Sequence, residues 1–302
     1  MSTWGSYLFA LLLWPGLIIG ALLGWLYLWF IRKLTAQFQG RQGPPFYQPF
    51  FDFIKLLGKE TTIPGGISKL LFYGLPIISL ASSLFALAMI PVPGNPMKAF
   101  PGDLILFIYL LEMPALCEII AGFATRSPYG QVGASREAMM TLAYNIPFLA
   151  AVVALAIHAG SYSLSALANQ PLSWVSLAAA VAFFLSLPAR LKSNPFSIPN
   201  AEQELVAGAY TEFNGAPLAM FELSHTLELV ALISLFSVLF ITPIASGWLA
   251  FLLFLALSVL VIVLVTIIGN ATARIKLNQA FRFYWGWGTA AAVVALVIAV
   301  IL

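Results

Sequence analysis

Charged residues are scarce in this sequence. Asp, Glu, Lys and Arg together account for 8% of the 302 residues, whereas 61% are hydrophobic. A soluble globular domain has about 25% charged residues, so water could not solvate the surface that this chain would present. The scarcity excludes an ordinary soluble enzyme and indicates a protein embedded in a membrane.

Cysteine and the common catalytic motifs are also lacking. The single cysteine, Cys117, excludes an internal disulfide and any cysteine-rich metal or cluster motif within the chain. The sequence has no phosphate-binding loop, no GxGxxG, no HExxH and no Gly-x-Ser-x-Gly. We therefore expect no catalytic residue, cofactor site or metal site in this chain, and we expect any redox centre to belong to partner proteins.

Long apolar runs are what the sequence does contain. A helix needs about 20 apolar residues to cross a bilayer, and unpaired backbone groups are not tolerated in lipid. We predict an all-α, polytopic membrane protein that forms a single membrane domain over residues 1–302. The first apolar run has no basic residues before it, so we interpret it as a membrane helix and not as a cleaved signal peptide. About eight transmembrane helices are expected, at 7–31, 70–92, 104–124, 138–158, 172–187, 227–244, 248–268 and 284–302.

The basic residues predict the topology. All of the 14 Lys and Arg residues except Lys98 fall in or beside the connections after the first, third, fifth and seventh helices. Basic loops stay on the cytoplasmic side, so we expect cytoplasmic loops at about 32–69, 125–137, 190–226 and 269–283, with both termini outside. The net charge of +3 then reflects topology and does not indicate a nucleic-acid partner.

Two glutamates lie within the third predicted helix. Glu112 and Glu118 are six residues apart, about 120° around the helix, with Pro114 between them. Ionisable groups at membrane depth are costly and are candidates for function. Both a proton-path role and a structural ion pair with Lys or Arg of a neighbouring helix remain open.

A second cluster of ionisable residues follows in the loop expected at 190–226 and in the helix after it. Glu222, His225 and Glu228 are spaced by three residues, which places them within one arc of a helix. A histidine between two carboxylates can pass protons near neutral pH, and the alternative is a helix-end cluster that faces water. The earlier loop at 32–69 contains an amphipathic stretch at 44–57, which we expect in the membrane interface or against a partner.

Four loop segments resemble a known family. It is the multi-spanning subunit that joins the membrane and peripheral arms of respiratory complex I and of energy-converting, membrane-bound nickel-iron hydrogenases. The segments occur in family order along nearly the whole chain, on one predicted face. The first segment is RQGPP (41–45) with QPFFDFIKL (48–56), Lys59 and Glu60, and the second is SPYG (127–130) with GASRE (133–137). The third is IPNAEQEL (198–205) with Gly208, Glu212 and Gly215, and the fourth is Ala273 and Arg274 with Lys276 and Arg282.

The amino-acid sequences of these loops are more similar to those of the hydrogenase branch than to those of the quinone-reducing branch. The resemblance implies a non-catalytic subunit of the inner cell membrane that couples electron flow from ferredoxin or formate to proton or sodium movement. It implies a nickel-iron large subunit, an iron-sulfur small subunit and antiporter-like membrane subunits as partners. Alternatives are the quinone-site subunit of complex I, a purely structural anchor, and a stand-alone transporter, which would show inverted repeats that the two halves lack.

The resemblance also implies roles for loop residues. Glu202, Glu204 and Glu212 would face the peripheral arm, with Arg41, Arg136 and Arg274 as their basic counterparts. The other residues expected in the docking and coupling loops are Asp52, Lys55 and Glu137. Asn145 and Arg190 stand where relatives usually carry glutamates. Glu112, Glu118, Glu222 and Glu228 stand where several relatives have neutral or basic residues.

Overall fold

Helices form all the regular structure that the computed structural model describes, which is residues 3–97, 99–200, 202–241 and 247–301. Lys98, the single basic residue predicted on the opposite face, lies outside these ranges. For Glu202 the structure describes the backbone and not the side chain. The helices are α1 (Thr3–Leu12), α2 (Leu17–Phe38), α3 (Gln48–Leu57), α4 (Lys69–Met89), α5 (Asp103–Ala124), α6 (Pro128–Ala159), α7 (Leu164–Ala168), α8 (Trp174–Arg190), α9 (Glu202–Leu205), α10 (Gly215–Ile241), α11 (Gly247–Ala271), α12 (Leu277–Phe283) and α13 (Thr289–Ile301).

The predicted all-α, polytopic membrane fold is confirmed. Seven helical segments within the described residues are long and apolar enough to cross a bilayer. The remaining predicted span, the fifth at 172–187, corresponds to α8, an apolar helix of 17 residues, which is the lower limit for crossing. A turn of 3₁₀-helix at Gly208–Tyr210 and a π-helical segment at Tyr284–Gly288, which joins α12 to α13, complete the regular structure described.

Several predicted helix boundaries are wrong, mostly because helices continue beyond the hydrophobic runs. The first predicted helix is broken at Pro15 and Gly16, and α2 continues to Phe38. The loop expected at 125–137 is mostly the start of α6, and the loop expected at 190–226 ends where α10 begins at Gly215. A hydrophobic run marks where a helix lies in lipid, whereas a helix of 32 residues such as α6 spans about 48 Å and extends well beyond the bilayer.

The four charged connections meet at one end of the bundle, which we call the loop face. Asn214 donates to the backbone oxygen of Thr62 at 3.0 Å, and Arg136 forms an ion pair with Glu204 at 2.7 Å. The backbone N–H of Ile275 donates to the carbonyl of Pro195. At the other end of the bundle Trp14, in the break between α1 and α2, donates to the carbonyl of Pro93 in the connection after α4. The grouping agrees with the predicted alternation, and the cytoplasmic orientation of the loop face stays a prediction.

The apolar core and the charged residues occupy different depths along α10. From Leu229 onward this helix is buried among apolar side chains of α2, α4, α8 and α11, such as Leu87, Phe183 and Val261. Toward the loop face the same helix carries Ser224, His225 and Glu228 into a polar region. The packing therefore brings ionisable side chains of α5, α6, α8 and α10 together just below the loop face.

Candidate functional site

An arginine is held inside the bundle by a carboxylate and an amide. Arg190, at the end of α8 and 2% exposed, donates to Glu112 Oε1 at 2.6 Å and to Asn145 Oδ1 at 3.0 Å. Asn145 in turn donates to Glu112 Oε2 at 2.7 Å. Arg190 also donates to the carbonyl of Leu111, and its guanidinium lies 4.4 Å from the ring centre of Phe148. We call Glu112, Asn145 and Arg190 the arginine group.

A lysine is inserted between two further carboxylates. Lys192 forms an ion pair with Glu118 of α5, and its Nζ lies 3.5 Å from Oε1 of Glu137 of α6. The hydroxyl of Tyr210 donates to Glu118 Oε2 at 2.7 Å. Glu118 and Glu137 are 2% and 1% exposed. These four residues form the lysine group.

Hydrogen bonding in the lysine group is incomplete. Neither carboxylate oxygen of Glu137, nor Oε1 of Glu118, has a hydrogen-bond partner within the described part of the chain. A small cavity lies beside them. The centre of a water molecule could move within about 10 Å³ of it, so the cavity has room for about one water. Buried polar atoms are normally paired, so these oxygens are suited to accept hydrogen bonds from water or to take up protons.

His225 and Glu228 of α10 connect the two groups. His225 Nδ1 lies 3.9 Å from Glu228 Oε2, and Glu228 Oε1 lies 4.0 Å from Arg190 Nη2. Both residues line the same cavity as Glu118, Glu137 and Lys192. Together with Glu112, four carboxylates thus face two permanent cations, so the cluster has more carboxylates than cations to neutralise them.

The end of α8 explains how both cations point inward. Leu191 bonds back to the carbonyl of Leu187 and Lys192 to that of Ala189, which prolongs the helix by one tight turn. Lys192 has φ of 50°, a left-handed conformation that is uncommon outside glycine. Such conformations persist only where surrounding contacts compensate for their cost, and here Glu118 and Glu137 supply those contacts.

Electrostatics keep Lys192 and Tyr210 protonated. Burial lowers the pKa of Lys192, but Glu118 and Glu137 raise it by more, so that the pKa lies above its ordinary value. Burial raises the pKa of Tyr210, and the neighbouring Glu118 raises it further. The phenol therefore stays a donor and the lysine stays a cation at physiological pH.

A second, exposed set of charges lies on the loop face. Glu204 accepts from Arg136 at 2.7 Å and lies 3.8 Å from Arg274. The hydrogen bond from Arg136 lowers the pKa of Glu204, and the guanidinium charge acts in the same direction. These three residues, the surface group, border an open cavity of about 610 Å³ that is also lined by Asn194 and Lys276.

The structure separates some residues that the sequence grouped. Glu222 is exposed and faces a slot of about 220 Å³ between α2, α3 and α10, which Arg32 and Asp52 also line. The structure therefore does not bring Glu222 into the cavity that His225 and Glu228 line, because α10 turns Glu222 toward α3, and its part in the predicted relay stays a prediction. Glu137, expected on a docking loop, is buried in the lysine group, since α6 begins earlier than predicted.

The remaining loop residues lie apart from the cluster. Asp52 accepts from Arg32 at 3.0 Å and from Gln48 at 2.8 Å. Lys55 is exposed on α3, and Glu212 is partly buried before α10. Arg41 bonds to Gln39, away from the loop glutamates, so it is not a partner of Glu204.

Residue types alone did not single out four members of the site. Lys192 and Tyr210 were not selected, because a lysine and a tyrosine in a loop usually face water. Arg190 and Asn145 were noted only as departures from the family pattern. The usable signal is that these departures compensate one another, since Arg190 and Asn145 bind the carboxylate of Glu112. No group of three or more His, Cys, Asp or Glu is placed to hold a metal ion in the ranges described.

Comparison with known proteins covers nearly the whole chain. The sequence profile of the family described as NADH dehydrogenase matches residues 11–300. One component of the NADH-quinone oxidoreductase of Syntrophotalea carbinolica, the subunit designated H, is 31% identical over 280 residues, which cover 84% of this chain and 83% of that protein. The component of the same designation in Bacillus cytotoxicus is 33% identical over 229 residues, covering 72% of this chain and 68% of that protein.

A solved structure shares the fold from end to end. One chain of the membrane-bound sulfane sulfur reductase, an archaeal respiratory membrane complex, is 30% identical and superposes with a TM-score of 0.85. The superposition covers 98% of this chain and 99% of that chain. The similarity therefore includes the loop face and the helices that carry the buried charges.

Proposed function

The chain belongs to the NADH dehydrogenase family as a multi-span membrane protein resembling a subunit of respiratory complexes, and on this premise we propose that it couples electron transfer to ion movement. In this proposal it is a non-catalytic subunit that anchors a peripheral redox arm at the loop face. Redox chemistry there changes the position or charge of loop residues. The buried carboxylates respond by binding or releasing protons, or by passing sodium ions.

The observation that carries the proposal is the position of Lys192. Its side chain is buried between Glu118 and Glu137, while the segment that follows lies at the loop face. In that segment Pro195 accepts from Ile275, and the ring of Phe196 lies 4.8 Å from that of Tyr284. A movement imposed on this segment would therefore be transmitted to the cation inside the bundle.

The energy of such a movement is sufficient for coupling. At 3.5 Å and an effective dielectric constant near 20, one charge pair interacts by roughly 5 kcal/mol. Moving one charge across a membrane potential of 100 mV requires about 2.3 kcal/mol. Withdrawal of Lys192 from Glu137 therefore involves enough free energy to drive one charge against an ordinary membrane potential.

Within the family, we propose the hydrogenase type of complex. The partners are then a nickel-iron large subunit, an iron-sulfur small subunit and antiporter-like membrane subunits, with ferredoxin or formate as the electron source. The amino-acid sequences of the four loop segments support this branch. The full-length match to a chain of a sulfane sulfur reductase supports a respiratory complex of related build.

A quinone-reducing complex is the second candidate. It is favoured by the names of the relatives, which are subunits of NADH-quinone oxidoreductases. The slot between α2, α3 and α10 supports it as well, because the aromatic side chains of Trp25 and Phe53 line it. The acceptor thus distinguishes the two candidates, and it is a property of the complex as a whole.

The first experiment is purification of the intact complex in mild detergent through a C-terminal tag. Mass spectrometry would identify the co-purifying subunits, and metal and quinone analysis would identify the acceptor site. Nickel together with iron-sulfur proteins is the expected result. Iron with bound quinone and no nickel would favour the quinone-reducing complex. Recovery of the chain alone would contradict both candidates.

A further inference from the structure

His225 lies between two cavities. One is the small cavity of the buried cluster, and the other is a cleft of about 500 Å³ between α2, α10 and α11. Among the residues that the structure describes, His225 alone lines both. Its side chain is 29% exposed, whereas the carboxylates behind it are nearly inaccessible.

The cleft can hold water and opens at the loop face. Its volume has room for on the order of ten waters. Toward the loop face its walls carry uncharged polar side chains, including Thr35, Gln39 and Asn270, and the hydrogen bond from Gln39 to Asn270 is exposed. Deeper in the cleft the walls become apolar, with Leu28 and Val265, until His225 is reached.

From this arrangement we infer that His225 is the port through which protons from the loop face reach the buried carboxylates, an inference that rests on the proposed coupling function. A hydronium ion or water in the cleft gives a proton to one ring nitrogen, and the ring releases the proton of its other nitrogen to Glu228. Glu228 gains the proton that the cleft loses. The ring keeps its charge, and rotation about its side-chain bonds restores the starting tautomer.

The distances allow each transfer after small side-chain movements. Nδ1 of His225 is 3.9 Å from Glu228, about 1 Å longer than a hydrogen bond. Glu228 and Glu137 both line the small cavity, where one water can connect them. Glu137 is a suitable acceptor because its oxygens form no hydrogen bond within the described residues.

The charges that act on His225 come from two elements. Glu228 and Glu222 belong to its own helix, and Lys192 lies on the segment after α8. The side chains that α2 and α11 present to the cleft are uncharged. Free imidazole titrates near pH 6.5, which makes histidine the side chain best suited to accept and release protons at physiological pH.

The test compares His225→Ala with His158→Ala, the same change at the other histidine of the chain. Membrane vesicles that carry the assembled complex are supplied with a reduced viologen dye, and a pH-sensitive dye reports protons moved per electron. We expect His225→Ala to lower this ratio by at least about tenfold, and millimolar imidazole to restore it, with a pH dependence set by the added base. His158→Ala should leave the ratio unchanged.

Two outcomes would overturn the inference. One is a wild-type ratio in His225→Ala, and the other is a loss in the assembled complex that imidazole does not restore. If Glu118→Gln and Glu137→Gln abolish proton movement while His225→Ala does not, the port is wrong and the coupling function stands. If all three variants move protons normally, the coupling function itself fails.

A second measurement applies where His225→Ala prevents assembly. The full chain, labelled with ¹⁵N at histidine, is placed in lipid nanodiscs, and His158→Ala assigns the two imidazole signals. We expect the His225 ring to follow the pH of the buffer and to change its titration in Glu228→Gln. A His225 signal that does not respond to buffer pH would contradict its role as a port.

Discussion

The arginine group and the lysine group are neighbours in the bundle but differ in how completely the oxygens of their carboxylates are hydrogen-bonded. In the arginine group both oxygens of Glu112 accept hydrogen bonds, from Arg190 and from Asn145. In the lysine group, three carboxylate oxygens of Glu118 and Glu137 have no hydrogen bond in the part of the chain described. Lys192 is shared between Glu118 and Glu137, whereas Arg190 binds Glu112 directly and lies 4.0 Å from Glu228.

The difference separates structure from function. Both oxygens of Glu112 are hydrogen-bonded, although Arg190 Nε has no partner among the described residues, and loss of either charge would leave the other buried and uncompensated. A carboxylate that shares its cation and has free oxygens can change its protonation at lower cost. We therefore interpret the arginine group as the fixed element of the site and the lysine group, with His225 and Glu228, as the element that handles protons.

The largest expected effect is on stability, from Glu112→Leu. This change leaves the buried guanidinium of Arg190 with Glu228 as its nearest carboxylate, at 4.0 Å, and should lower the free energy of unfolding by about 3–5 kcal/mol. Thermal unfolding of the purified chain in nanodiscs would measure the loss. The double variant Glu112→Leu with Arg190→Met should recover most of it, and a single variant as stable as wild type would remove the distinction between the groups.

The next effect is on ion movement, from Glu137→Gln. The amide keeps the shape of the side chain but cannot take part in proton transfer, so protons moved per electron should fall on the order of 100-fold. Lys192 keeps its ion pair with Glu118, so the free energy of unfolding should fall by less than in Glu112→Leu. Loss of folding with retained ion movement would reverse the roles assigned to the two groups.

A smaller effect on stability is expected from Tyr210→Phe. The change removes the donor to Glu118 Oε2, a hydrogen bond to a charged group that contributes about 1.5–3 kcal/mol. Tyr144→Phe is the matched control. Its hydroxyl is paired with neutral Thr141 at 3.2 Å, so the cost should be about 1 kcal/mol or less. Equal costs for the two tyrosines would indicate that Glu118 does not depend on Tyr210.

The smallest effect concerns the surface group. The pKa of Glu204 in the folded protein lies below its ordinary value. The carboxylate therefore stabilises the fold at pH values above the ordinary pKa, and this stabilisation is lost as the pH falls through the pKa of the folded protein. Glu204→Gln should leave thermal unfolding at neutral pH unchanged, because the carboxylate is exposed. It should instead weaken retention of the peripheral subunits during purification, more strongly at low salt than at high salt. Unchanged retention at all salt concentrations would exclude docking at this place.

The sequence predicted much of this architecture for clear physical reasons. Apolar length and the distribution of Lys and Arg indicated the membrane spans and the single charged face, since both follow from the properties of the bilayer. Glu118 was selected as a candidate because charges at membrane depth are rare, and Glu228 because of its spacing from His225. Glu222 was grouped with His225 and Glu228 by the same spacing, but spacing along a helix does not say which neighbour each face meets, and the structure turns Glu222 toward α3.

Composition and hydrophobic pattern thus determined by themselves that the chain is a helical membrane protein with its charged loops at one end. Only the tertiary structure decided which charges meet. Arg190 and Glu112 are 78 residues apart, and Lys192 and Glu118 are 74 apart. Helices in lipid are apolar on nearly every face, so the periodic pattern of hydrophobic residues does not show which face meets which neighbour. Their packing depends on close fit and on polar contacts between helices. The pairing of these charges, and the exposure of His225 between two cavities, therefore depend on the packed bundle.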